Sequence, residues 1–221
     1  MSAASRLSLA VEAGDVILPD VGRIALFGPR PEHDLSVLPV DRCHVITGFK
    51  PDYDHFAARG FACAVEPEGR YAAAVVFVPR AKALARAVIA RAVEVTDGMI
   101  VVDGAKTDGI ESVLKECRKR ADVSAPLSKA HGKLFAFPAG PGFEGWAARD
   151  ASGIEGGFVT APGVFSADAI DPASKLLADT LPRKLGRSAA DLGGGWGYLS
   201  ARTLERDDIE VLHLVEADHA A

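Results

Sequence analysis

Asp191-Leu192-Gly193-Gly194-Gly195-Trp196-Gly197 is the stretch whose reading decides the fold. Ser188-Ala189-Ala190 ahead of it forms a short apolar approach, consistent with a buried parallel strand. Behind it, Tyr198-Leu199-Ser200-Ala201-Arg202-Thr203-Leu204 places Leu199 and Leu204 with small residues between them, as a helix against a sheet does. A strand, a glycine-dense turn and then a helix is how an α/β fold opens a nucleotide-type pocket. Glycines let the backbone approach a ligand closely and take positive φ without penalty. The helix start adds N–H groups with no partner inside the helix.

The acids around this turn narrow the ligand. Ile209 to Val215 reads as the next strand, with Glu216 at its end. That is about 20 residues past the glycines, where a carboxylate meets ribose hydroxyls. A dinucleotide fold asks for G-x-G-x-x-G/A; Gly193 and Gly195 fit, but Tyr198 fills the third slot. Acid-x-Gly-x-Gly-x-Gly, led by Asp191, fits instead and resembles the S-adenosylmethionine loop of class I methyltransferases. Such a cofactor has no pyrophosphate for an acid to repel, and its methionine ammonium attracts one. On spacing alone, a nicotinamide or flavin cofactor and a ligand-free glycine turn stay open.

Composition sets wider bounds. The 221 residues suffice for one large or two small domains, and 48% are hydrophobic, so a sizeable core is possible. A formal charge of −5 gives no global pull toward nucleic acid or membrane, so any RNA contact needs a local basic patch. No apolar run reaches the ~18 residues of a membrane span, and residues 1–13 do not have the form of a secretory signal. Three widely separated cysteines, Cys43, Cys63 and Cys117, without a C-x-x-C pair, fit reduced thiols in a cytoplasmic protein. The chain contains no Asn and no Gln, which excludes any side-chain amide from its chemistry.

In chain order, strands are expected at Arg23–Gly28, Cys43–Gly48, Tyr71–Val78 and Met99–Gly104, with helices at Pro51–Arg59 and Ala81–Val95. In the second helix Leu84, Val88, Ala92 and Val95 form the expected inward face. Thr107-Asp108 is expected to cap a helix from Gly109 to Arg120, with Ile110, Val113, Leu114 and Cys117 inward. Val123–Leu127 and Lys133–Phe137 are expected as antiparallel strands. This alternation means α/β with a mostly parallel sheet. The breakers Pro138-Ala139-Gly140-Pro141-Gly142 divide the chain: a first domain over 1–138, a linker over 139–155, and a second α/β unit over 156–221 with a helix from Pro172 to Thr180. The first half has only Gly28-Pro29-Arg30-Pro31 where a cofactor loop would stand.

Gly157-Phe158-Val159-Thr160-Ala161-Pro162-Gly163-Val164-Phe165-Ser166, Ile170-Asp171-Pro172-Ala173-Ser174-Lys175-Leu176-Leu177 and Asp191 through Gly197 resemble the RsmC-type ribosomal RNA guanine-N2 methyltransferases. So do Val75-Val76-Phe77-Val78-Pro79-Arg80, Val102 through Gly109 and Lys129-Ala130-His131-Gly132-Lys133-Leu134 in the first half. The resemblance implies tandem class I methyltransferase-like (Rossmann-like) domains. The first is degenerate and assists folding and RNA binding; the second holds S-adenosylmethionine and the chemistry. It places Asp191, Gly193, Gly194, Gly195 and Gly197 on the methionine end of the cofactor, Glu216 on the ribose and Phe165 near the pocket mouth. The implied partner is ribosomal RNA or the small ribosomal subunit, with no membrane.

Two departures count. The family usually has Cys where this chain has Gly194, a small-for-small change expected to be harmless. Its Asn-Pro-Pro-Phe segment, which presents acceptors to the target amine, is absent from these 221 residues. Only two strands and one helix follow Ser188, so a C-terminally truncated chain with an incomplete second domain is expected, and no catalytic residue is assigned.

Blander readings stand beside these. His33, His44 and His55 are too widely spaced for a metal site, and none is expected. Arg80, Lys82, Arg86, Arg91, Lys115, Arg118, Lys119 and Arg120 form either an RNA-facing strip or solvated helix faces. Lys129 to Lys133 is either an RNA contact or simple turn chemistry, and Trp196 either core or pocket wall. The function the resemblance implies is methylation of guanine N2 in small-subunit ribosomal RNA. The alternatives are an NAD-dependent oxidoreductase and a non-catalytic RNA- or protein-binding module.

Overall fold

The computed structural model describes residues 5–147 and 152–221, and the chain divides into two compact units, one up to residue 148 and one from residue 149. Of the linker expected over 139–155, residues 148–151 lie outside the described residues. Ahead of them, Phe143 and Trp146 are buried in the core of the first unit, where Phe143 stacks on Phe137 at 5.2 Å.

The first unit runs α1 (Arg6–Glu12), β1 (Ile24–Phe27), β2 (Cys43–Ile46), α2 (Lys50–Ala58), β3 (Ala62–Ala64), β4 (Tyr71–Phe77), α3 (Lys82–Val95), β5 (Thr96–Ala105), α4 (Ile110–Cys117), β6 (Leu127–Lys129) and β7 (Gly132–Pro138). Its seven strands lie in the order β3-β2-β1-β4-β5-β7-β6. The first five are mutually parallel, and β7 runs antiparallel between β5 and β6. The order reverses at β1 and β4, the switch point of a doubly wound sheet. Every residue of β1 and all but one of β4 are buried, because helices cover both faces. Along β4, Ala74 and Val76 join the cluster under α3 and α4, whereas Val75 and Phe77 join that of Leu7 and Ala10 of α1 and Phe56 of α2.

Four expectations shift in detail. The inward face of α3 is Ala85, Ile89, Ala92 and Val95 rather than one through Leu84 and Val88, because alanines let the helix sit close to the sheet. β5 begins at Thr96, directly after α3, and a side chain at Gly98 would collide with the Ala72 carbonyl, so only glycine fits there. Thr107-Asp108 does not cap α4: those residues form a 3₁₀ turn, and the cap position is Gly109 at φ 80°, without a side-chain hydrogen bond. The last hairpin is displaced, with residues 123–126 outside the strand. Pro126 has no N–H to give, and Ser124 alone engages β7, its N–H donating to Ala136 O at 2.9 Å and its Oγ accepting from Ala136 N at 3.0 Å. The helix α1 and the three-residue β3 were not expected.

The second unit runs β8 (Ser152–Gly153), β9 (Val159–Thr160), α5 (Pro172–Thr180), β10 (Ser188–Leu192), α6 (Tyr198–Leu204) and β11 (Val211–Val215). α5 has the expected bounds because Asp171 caps it, accepting from Ser174 N at 2.8 Å, and Pro172 occupies its first turn. β10 and β11 pair in parallel from Ser188–Val211 to Leu192–Val215. Leu176, Leu192, Leu204 and Val215 are exposed here, the reverse of the sealed sheet in the first unit. All three cysteines are free; burial pushes the thiols of Cys43 and Cys117 up to about 12, so both stay protonated. Among the described residues no helix is long and apolar enough to cross a membrane.

Candidate functional site

The site is the bend between β10 and α6. The parallel ladder continues one step past β10: Gly193 N donates to Val215 O at 2.8 Å and Gly194 N to the same oxygen at 3.2 Å. The chain then turns through Gly193 (φ 75°), Gly195 (φ 52°) and Gly197 (φ 89°), left-handed conformations that side chains resist. Gly197 N donates to Gly194 O at 3.0 Å, closing the turn, and α6 follows. A Cβ added at Gly193 or Gly195 would meet nothing within 4 Å, so the outer side of the bend is open to a ligand.

Two carboxylates flank it. Glu216, just past β11, accepts through Oε2 from Gly195 N at 2.8 Å and through Oε1 from Ala217 N at 2.7 Å and Asp218 N at 2.8 Å. The Asp218 and Gly195 N–H groups hold its carboxyl below the usual carboxylate range, so it is ionised at neutral pH. Asp191, the penultimate residue of β10, accepts from Ser200 Oγ at 2.7 Å, and Ser200 is buried in α6. The contact spans the whole glycine turn and orients the acid that leads the motif.

A third element closes the side. Trp196 Nε1 donates to Phe165 O at 2.9 Å, and the rings of Phe158, Trp196 and Tyr198 pack with centroids 5.0 to 5.9 Å apart. Phe165 itself is 68% exposed. Its neighbour Ser166 takes a left-handed φ of 51° and donates to Ala169 O at 2.6 Å.

The structure therefore brings together Asp191, Gly193, Gly194, Gly195, Gly197 and Glu216, and ties the Phe165 backbone to them through Trp196. Ser200 and Phe158 were not singled out from the sequence, and Tyr198 only as a departure from the dinucleotide motif; a hydroxyl in the first turn of the helix after the motif was the available signal for Ser200. Gly194 sharpens an expectation. A Cβ there would lie 2.8 Å from Leu214 Cγ and 3.3 Å from Asp191 Oδ2, so the exchange with Cys requires the exposed Leu214 side chain to shift. Leu214 of β11 occupies the space.

Four of the eight cations in the basic strip of the first unit, Lys82, Arg86, Arg91 and Arg120, are engaged within the fold. Arg86 binds Glu116 bidentately at 2.9 Å, Lys82 joins the same carboxylate at 2.8 Å and Arg91 pairs with Glu94 at 2.8 Å. Arg120 lies over the Trp146 ring at 4.6 Å. Glu116 is held down to about 2, chiefly by the Arg86 hydrogen bonds. Asp103 is buried against Arg6 of α1. Among the described residues, no three His, Cys, Asp or Glu side chains converge as metal ligands.

Residues 155–221 match the methyltransferase small domain family. The chain is 27% identical over 185 residues to the ribosomal RNA small subunit methyltransferase C of Shewanella amazonensis, covering 75% of this chain and 54% of that one. It is 29% identical over 177 residues to the protein of the same description from Pseudomonas aeruginosa, covering 76% and 52%. The chain thus spans about half the length of the curated relatives it matches. Among solved structures, the T. thermophilus 16S rRNA N2 G1207 methyltransferase (RsmC), in complex with AdoMet and guanosine, superposes with a TM-score of 0.75 at 24% identity, covering 93% of this chain and 61% of that one. That likeness shows the fold.

Proposed function

We infer that this chain is an RsmC-type class I methyltransferase that takes part in S-adenosylmethionine-dependent methylation of guanine N2 in small-subunit ribosomal RNA, a reading supported by the family match, the relatives and the shared fold. The second unit holds the cofactor and the first does not. The observation that carries the reading is the pair of carboxylates fixed on either side of an open glycine bend, Glu216 through Gly195 N and Asp191 through Ser200.

Each residue has a distinct task. Asp191, oriented by Ser200, faces the methionine ammonium; Gly193, Gly194, Gly195 and Gly197 let the backbone lie against the methionine portion. Glu216 accepts from the ribose hydroxyls, for which its ionised state suits it. Phe165 stands at the mouth of the pocket. The cofactor supplies a methyl group already activated on a sulfonium, so the protein's contribution is alignment of the exocyclic amine. Within these 221 residues the acceptors for that amine are carboxylates, hydroxyls or backbone carbonyls, because the sequence has no side-chain amide.

Calorimetry on the 221-residue chain tests the cofactor reading: S-adenosylmethionine binds and NAD does not. Binding of NAD alone overturns it in favour of an oxidoreductase. Binding of ribosomal RNA with neither cofactor bound favours a module without chemistry.

A further inference from the structure

The first unit contains a cavity of about 280 Å³ between the start of α4 and the β6–β7 turn, lined by Lys106, Glu111, Ser128, Lys129, His131 and Lys133 among others. Three lysines and one glutamate are among its lining residues. Lys133 is 22% exposed and sits 3.4 Å from Glu111 and 3.3 Å from Ser128 Oγ. Lys106 is exposed at the rim and Lys129 is half-buried. The chain carries a net charge of −5, so this is a local reversal of its field.

The turn that presents these groups is held in an unfavourable shape. Ala130 (φ 48°) and His131 (φ 54°) are both left-handed, a two-residue hairpin geometry normally given to Asn, Asp or Gly. It is held by neighbours outside the hairpin: Lys106 N donates to His131 O at 2.7 Å, and Arg6 Nη1 to Lys129 O at 3.0 Å. Arg6 in turn is fixed by the buried Asp103. His131, exposed in this turn, is thereby kept in the lining of the cavity.

We propose that this cavity is a site for a phosphate group carried on an RNA strand. Ammonium groups, a hydroxyl and an imidazole are the donors a phosphate oxygen uses. At about 280 Å³ the cavity is smaller than pockets that enclose a whole small ligand, of roughly 300–1,000 Å³. It takes one phosphate with part of its sugar and leaves the rest of a chain outside. The inference shares only the RNA with the proposed function, and it lies wholly in the first unit. Cofactor binding by the second unit therefore tests the two readings separately.

The experiment measures binding of a labelled RNA hairpin to the full chain across a salt series, for wild type, Lys106→Ala, Lys106→Arg and the double variant Lys106→Ala/Lys133→Ala. Thermal melts verify that each variant is folded. Inorganic phosphate is titrated in parallel against the His131 ring resonances. Affinity for the hairpin is expected to fall severalfold at low salt in Lys106→Ala and further in the double variant. The slope of log K against log salt should lessen by about one for each lysine removed, and Lys106→Arg should keep the wild-type slope. Phosphate should shift His131 in wild type and not in the double variant. A His131 response with unchanged RNA affinity and slope overturns the RNA assignment in favour of a free phosphate. Folded variants that change neither response overturn the site altogether.

Discussion

The turn after β1 and the turn after β10 leave the carboxyl ends of parallel strands in the same way and then diverge. After β1 the chain enters Gly28-Pro29-Arg30-Pro31, and the space beyond the strand ends is filled: His33 stacks on Phe77 at 4.3 Å, its Nδ1 accepting from Arg30 N at 2.9 Å. Burial lowers the His33 pKa, so the ring stays neutral within that packing. After β10 the chain makes three left-handed glycine steps with nothing above two of them, and two acids wait on either side. A parallel sheet therefore offers a ligand crevice only where the first turn is kept thin. Side chains placed in the turn convert the same crevice into core.

The largest effect that sharpens this contrast is expected at Glu216. Glu216→Ala removes the acceptor of Gly195, Ala217 and Asp218 N–H groups together with the proposed ribose partner. A charged hydrogen bond contributes about 1.5–3 kcal/mol, so S-adenosylmethionine affinity should fall roughly tenfold to hundredfold by calorimetry. Arg30→Ala, in the filled turn, should leave that affinity unchanged; a matching loss there breaks the comparison.

Next comes Gly194→Cys, which places a Cβ against Leu214 Cγ. Overpacking of this kind costs about 1–3 kcal/mol in chemical denaturation, and adding Leu214→Ala should recover most of it. Equal stability of the single variant and wild type would show that Leu214 moves freely. A smaller change is expected of Ser200→Ala: severalfold weaker binding of S-adenosylmethionine with little change for methylthioadenosine, which lacks the methionine ammonium that Asp191 faces.

The smallest effect concerns acid. Glu116 titrates in the folded chain at about 2, below its ordinary 4.5, so its contribution is complete above 4.5 and is lost as pH falls toward 2. Glu216 is shifted in the same direction by the Asp218 and Gly195 N–H groups, and the glycine bend should loosen once pH falls below the ordinary carboxylate range. A urea midpoint for the first unit that declines between about pH 4.5 and 2, and declines less in Arg86→Met, is the expected result. A midpoint that rises on acidification would show the sign to be wrong.

What was legible in the sequence followed from local chemistry. The glycine bend, the Asp171-Pro172 helix start and the buried strands each carry their cause within a few neighbouring residues. Contacts across long separations were hidden. Arg6 is held by Asp103 from a short helix whose only local signal is Ser5, which accepts from Ser8 N at 3.1 Å. Lys82 and Arg86 looked like a solvent face until α4 brought Glu116 against them. At the site, the spacing gave the acids and glycines, but the Ser200 bond to Asp191 and the Leu214 obstruction at Gly194 needed the turn in three dimensions.

The chain has two tryptophans, and each unit holds one. Trp146 lies buried beneath the Arg120 guanidinium, whereas Trp196 sits within the glycine bend, its indole N–H engaged by the Phe165 carbonyl. Exchanging Trp146 for phenylalanine leaves emission from the bend alone, and exchanging Trp196 leaves emission from the sealed sheet. Ligand arrival and unfolding can then be followed optically in either half, with no dye attached.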